Sequence, residues 1–188
     1  MSCLLTTGIA KGCRDNTGGI RSVYITNIEN ITATTPSPNN PGLYGTPGTP
    51  ADVGVITGFT MVATKKFYKF VPNKTSSNWT ETIQSNLQNG TIGYEQALKL
   101  IFAKNEAAKR NQIKLLGQGT LCIIVHDYND KYWLLGEMNG LELASGTSSS
   151  GTALSDLNGW DITLQGMEHY PAREVDPALI TSTLVDIV

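Results

Sequence analysis

The stretch His126–Ala172, HDYNDKYWLLGEMNGLELASGTSSSGTALSDLNGWDITLQGMEHYPA, decides the fold. It is almost wholly strand signal, turn signal and small polar residues. Tyr128–Asp130 is a turn that leads from a buried strand, TLCIIVHDY, into KYWLLGEM. The Asn139–Gly140 pair, favoured in two-residue hairpin turns, leads on into LELASG. The segment TSSSGTALSDLNG reads as a loop, and WDITLQGME as the last clear strand. Three strands joined by tight turns predict a meander whose faces are available to a neighbour.

The same signals continue upstream. Residues Ile20 to Ile31 alternate, with Ile20, Ser22, Tyr24, Thr26 and Ile28 on one face and Val23 and Ile25 on the other. Such β-branched and aromatic residues favour a strand. Strands are also expected over Val53–Ala63 and Lys66–Val71. Trp79, Glu81, Ile83, Ser85 and Leu87 alternate up to the hairpin signal Asn89–Gly90. The next segment, TIGYEQALKLIF, fits a period of two as well as a helix, and the hairpin turn decides for a strand. One helix is expected from Asn105, as N-cap, to Leu116, with Gly117 as its C-cap. Its apolar stripe is Ala108, Gln112 or Ile113, and Leu116. The fold class is therefore mainly β: a β-sandwich or barrel with one packed α-helix.

Two segments stand outside this pattern. Five of the eight prolines lie between Pro36 and Pro50, and no charged residue occurs between Glu29 and Asp52. Proline removes ladder donors, so this is neither helix nor central strand. After Pro177 the chain ends in an apolar tail, ALITSTLVDIV. The domain reading is one β-sandwich over residues 1–176 with a Pro-rich insertion near 34–50, then a C-terminal arm over 177–188. Both irregular segments are expected to act as arms against neighbouring subunits.

The totals exclude several functions. Charged residues are 16% of 188, below the usual share of about a quarter, and the net charge is −2. No basic face for gripping nucleic acid is indicated. Three cysteines, Cys3, Cys13 and Cys122, with no C-x-x-C spacing, argue against a disulfide framework and for a reducing cytosol. MSCLLTTGIAKGC lacks the basic start and apolar run of a secretory leader, and no stretch reaches the length of a membrane span.

A search for chemistry ends without a site. His126 lies beside Asp127 and near Cys122, but residues four apart in a strand are ~13 Å apart along it. Asp127, Asn129 and Asp130 make an oxygen-rich turn with too few ligands for a calcium loop. Glu137, Glu142, Asp156, Asp161 and Glu168 read as scattered, outward positions on a solvated sheet face. Trp79 and Trp133 read as core residues, sharing faces with Ile83 and Leu87 and with Leu135. No catalytic, cofactor-binding or metal-ligating residue is singled out, no cofactor is expected, and the chain is expected not to be an enzyme.

Taken together, CRDNTGGIRSVYITNIENI, the Trp-bearing strand NWTETIQSNLQNGTIGYEQALKLIF, the helix and the His126–Ala172 stretch resemble structural virion proteins of bacteriophages, including crAss-like and other Bacteroidota phages. The later half is similar to tail-tube-fold proteins, with Gly151, Asp156, Asn158 and Gly159 matching the loop before the final strand. The resemblance spans Cys13 to Ala172 and departs at the Pro-rich insertion and the tail. It implies a tail-tube-like fold and a ring of identical subunits in a tail tube or a neck or tail ring. It also implies contacts to adjacent tail or connector proteins, DNA passing through the lumen without specific binding, no membrane partner, and residence in the virion after assembly in the host cytoplasm. The alternatives are a capsid decoration or other binding module and, behind it, a β-sandwich hydrolase.

Overall fold

A computed structural model describes residues 9, 11–36, 54–181 and 184–186. Strands β1 (Ile20–Asn27), β4 (Phe67–Phe70), β7 (Leu121–Asp127), β8 (Tyr132–Leu135), β11 (Arg173–Glu174) and β12 (Val185–Asp186) form a six-stranded sheet in the order β11-β8-β7-β1-β4-β12. Strands β5 (Asn78–Asn86), β6 (Thr91–Ala103), β9 (Glu142–Ser149) and β10 (Gly159–Glu168) form a four-stranded sheet in the order β5-β6-β10-β9. Strands β2 (Ile31–Pro36) and β3 (Ile56–Met61) pair as a third, small sheet. Helix α1 covers Ala107–Leu116. The protein is thus a mainly β sandwich with one helix.

The six-stranded sheet is buried on both faces. On one face Val23, Ile25, Leu121, Ile123 and Val125 meet Leu98, Leu100, Ile162 and Leu164 of the four-stranded sheet in the main core. On the other, Tyr24, Cys122, Ile124 and Leu134 form a second core with Ile56, Phe67, Val175 and Val185. This explains the unbroken apolar run in LCIIV: a strand covered on both sides has no polar face to alternate with. Helix α1 sends Ile113 and Leu116 into the main core.

Several expectations change. The strand begun at Ile20 is interrupted, because residues Ile28–Asn30 make a 3-10 turn before β2. Ile20 joins Val23 and Ile25 in the main core because the β1–β7 register shifts between Ile20 and Ser22. Strand β3 is shorter than expected and pairs with β2. The helix N-cap is Glu106, not Asn105, and it makes no side-chain capping bond. Gly117 ends the helix at φ −77, so left-handed backbone is not its reason. A Cβ there would lie 3.0 Å from a methyl of Leu143.

The meander also divides. Strand β8 does not pair with β9; between them the chain leaves the six-stranded sheet and enters the four-stranded one. Gly136 (φ 67) and Gly140 (φ 79) supply the left-handed backbone at this crossing. Gly140 also fits beneath β10, where a Cβ on Gly166 would lie 2.3 Å from the Gly140 carbonyl oxygen. Strand β9 then runs through Thr147, Ser148 and Ser149, expected as loop, because they pair with Asp161, Trp160 and Gly159.

The C-terminal tail lies against its own domain, not out as an arm. Val185 pairs in parallel with Phe67 and is 1% exposed, and Leu179, Ile180 and Leu184 pack on the second core. The apolar tail had pointed to a neighbour; among its described residues, the β4 edge takes Val185 and the second core takes Leu179, Ile180 and Leu184 instead. Most of the Pro-rich insertion lies outside the described residues; Thr34–Pro36 at its start belong to β2.

Candidate functional site

His126 is held by β7 and brings together residues that the sequence keeps far apart. Its Nδ1 lies 3.4 Å from Ser22 Oγ across the β1–β7 pair, and its Nε2 lies 3.1 Å from Asp130 Oδ1. The ring stacks on Tyr132 at 4.2 Å. Asp130 is tied to Arg21 at 2.6 Å. Ser, His and Asp in a row are the parts of a nucleophilic relay. Here, however, Ser22 is 3% exposed and sealed within the sheet. The arrangement satisfies buried polar groups, and no reacting carbonyl can reach the hydroxyl in this conformation. In the sequence the neighbours of His126 are Asp127 and Cys122, the latter kept apart by the strand rise; β-pairing and the 127–131 turn bring it Ser22 and Asp130 instead.

Cys122 lies in the second core, where burial pushes its thiol far above the ordinary range. It therefore remains protonated at neutral pH and is no nucleophile. Cys13 is exposed, and Cys3 lies outside the described residues. In the HDYND turn, Asp127 Oδ1 accepts from the backbone N–H of Asn129 and Lys131 at 2.8 and 2.9 Å, and Oδ2 accepts from Trp133 Nε1 at 3.3 Å. These carboxylate oxygens stabilise a turn. No group of three or more His, Cys, Asp or Glu side chains is placed to hold a metal ion among the described residues. His169 is exposed.

The acidic residues are not all outward. Glu168 is 3% exposed. Its carboxylate accepts from the backbone N–H groups of Met138, Asn139 and Gly140 at 2.9–3.3 Å, which fixes the crossing turn between the sheets. Burial pushes its pKa up, the three N–H groups pull it down, and the Glu137 charge raises it further. Glu137 is half-buried, bonded by Arg173 and by Thr34 Oγ1 at 2.8 Å. A second polar chain joins the sheets, from Gly136 N–H to Gln96 Oε1 (2.9 Å) and from Gln96 Nε2 to Glu81 Oε2 (3.2 Å). In the loop before β10, Asp156 Oδ2 accepts from the N–H of Thr152 and Ala153, which lowers its pKa.

Neither Trp79 nor Trp133 is in the deep core. Trp79 is half-buried at the margin of the main core, while Ile83 and Leu87 on the same face are 60% and 95% exposed. Ile83 lies level with the end of β10, since both pair with Tyr94 of β6, and Leu87 lies beyond it at the hairpin tip. Trp133 meets Trp79 with ring centroids 5.8 Å apart.

The broadest unsatisfied feature is a pair of strand edges. The six-stranded sheet ends in β11 and β12, each two residues long. The four-stranded sheet ends in β5 and β9, nine and eight residues long, with no proline and one charged residue each. Among the described residues no strand pairs with the outer side of either. A long, nearly uncharged edge is a template for another strand, and β9 carries one register shift, opposite Thr163 and Leu164. The outer face of this sheet is polar and no described element covers it: Lys99 pairs with Asp161 at 3.0 Å, and Glu95 accepts from Gln84 at 2.8 Å and from Gln165. No helix among the described residues is long and apolar enough to cross a membrane. No protein-family model, curated protein or solved structure matches this chain.

Proposed function

We propose that the chain is the ring-forming subunit of a bacteriophage tail tube or of a neck or tail ring, with DNA passing through the lumen. The observation that carries this reading is the contrast in edges: among the described residues one sheet is blunted at both ends and the other is open at both. Strands β5 and β10 run one way, and β6 and β9 the other. Rotation about an axis near the strand direction preserves these directions. Strand β9 of one subunit then meets β5 of the next antiparallel, and the alternation continues from subunit to subunit. Such a head-to-tail contact closes into a ring or extends as a filament. Closure removes both edges.

In this arrangement the uncovered face of the four-stranded sheet lines the channel. It carries Glu95, Glu142 and Asp161 against Lys99, which Asp161 already neutralises. A polar, mildly acidic wall does not grip a polyanion. The exposed Ile83, Leu87 and Ile92 of the hairpin tip become contacts to the neighbouring subunit or to the next tail or connector protein. The virion is the place where such a subunit resides, after assembly in the host cytoplasm.

The test blunts one edge. The double variant Ala144→Lys/Thr147→Lys puts two charges on β9, where both positions are exposed. Light scattering is expected to show a large assembly for the natural chain and a monomer for the variant. The variant's melting should be nearly unchanged, since exposed substitutions usually shift stability within about 0.5 kcal/mol. An assembly unaffected by the two lysines contradicts the edge-to-edge seam.

A further inference from the structure

We propose that the cleft beside the Trp79–Trp133 pair is a saccharide-binding site. It has a volume of about 700 Å³ and lies between β5, β8, the 127–131 turn and the segment before β1. That size is in the range of about 300–1,000 Å³ usual for small-molecule sites. The two indoles come from different sheets, both half-buried, 5.8 Å between centroids and tilted by 38°. Rings this close admit no ligand between them; together they form one aromatic wall. Exposed Asp15, Asn16, Asn129 and Lys131 line the same cleft. Tyr128 lines it too, and its buried hydroxyl has no hydrogen-bond partner among the described residues.

The chemistry selects the ligand. An aromatic wall accepts the C–H face of a sugar ring. The exposed carboxylate of Asp15 and amide of Asn16 match hydroxyls, which both donate and accept, while the Lys131 ammonium is paired with Glu174 and the Asn129 amide with Thr17. An apolar ligand would leave Asp15 and Asn16 without a partner from the ligand. Asp127 already accepts from Asn129, Lys131 and Trp133, and Asp130 is paired with Arg21, so Asp15 is the carboxylate left to a ligand, and titration with tetramethylammonium separates a sugar from a cation. The site is also held in shape without a ligand. Asn129 bonds both the N–H and the C=O of Thr17, at 2.8 and 2.9 Å, which fixes the upstream segment against the turn. The Asp127 bond orients the Trp133 indole. Preorganised groups of this kind lose little entropy on binding. The proposal stands apart from ring formation: an isolated subunit carries the whole cleft.

The full-length protein is titrated with maltotriose, cellotriose, mannotriose, chitotriose and lactose, and with tetramethylammonium for comparison. Tryptophan fluorescence and calorimetry are the readouts. At least one saccharide is expected to bind saturably with Kd of about 1 mM or below. The exposed double variant Asp15→Ala/Asn16→Ala is expected to weaken it by at least about tenfold with unchanged melting, and Trp133→Phe to weaken it too. Three results overturn the proposal: no binding by any of the five saccharides, binding of tetramethylammonium alone, or equal affinity in the Asp15→Ala/Asn16→Ala variant.

Discussion

At the scale of the residue, Glu168 fixes the path of the chain between the sheets. Its carboxylate replaces water for three turn N–H groups, and burying it without them would be costly. Glu168→Ala leaves those donors without an acceptor and is expected to lower stability by about 1–3 kcal/mol in denaturant unfolding. The pH dependence follows from the raised pKa. The folded protein holds the Glu168 proton more tightly than the unfolded chain does, so this stabilisation is complete at low pH and is lost as pH rises through the folded value. The melting temperature of the natural chain minus that of Glu168→Gln should therefore grow as pH falls from neutral toward 4.5, the group's ordinary value. A difference that shrinks over that range contradicts the assignment. Gly166 is the steric counterpart: Gly166→Ala drives a methyl into the Gly140 carbonyl and should cost about 1–3 kcal/mol. Neither role was legible in the sequence. Glu168 sits in an alternating strand like any solvated acid, and its partners lie 28–30 residues away.

At the scale of the element, what the sequence showed was what neighbours in sequence decide. The β5–β6 hairpin follows from alternation and from Gly90, which adopts φ 63 in the turn. The doubly covered β7 follows from its apolar run. The crossing between β8 and β9 did not follow, because an Asn-Gly pair specifies a turn and not the sheet its second arm joins. The tail was misread for a related reason. Its partner strand β4 lies more than a hundred residues upstream, and β12 is too short to have a pattern. Deleting Pro177–Val188 exposes Phe67 and the second core. Burial of one Val, Leu or Ile contributes about 1.5–3 kcal/mol, so the truncated chain should melt well below the natural one, as calorimetry would show. An unchanged melting curve would return the tail to the role of a free arm. The candidate sites divide in the same way. The two tryptophans were visible as strand residues, but their contact joins two sheets and needed the fold. The Ser22–His126–Asp130 row needed the β1–β7 register.

At the scale of the whole molecule, the three layers of the described residues leave one sheet face and two strand edges unused. The small sheet and the tail cover one side of the six-stranded sheet, and the four-stranded sheet covers the other. Nothing described covers the far side of the four-stranded sheet. A monomer built this way would carry two aggregation-prone edges in solution, whereas a closed ring carries none. Electron microscopy of the purified protein tests this most directly. A closed ring with an open channel is expected, built from a whole number of 20.3 kDa chains joined β9 to β5. A protein that stays a 20.3 kDa monomer when concentrated, or a dimer joined through one edge with the other left open, would contradict it.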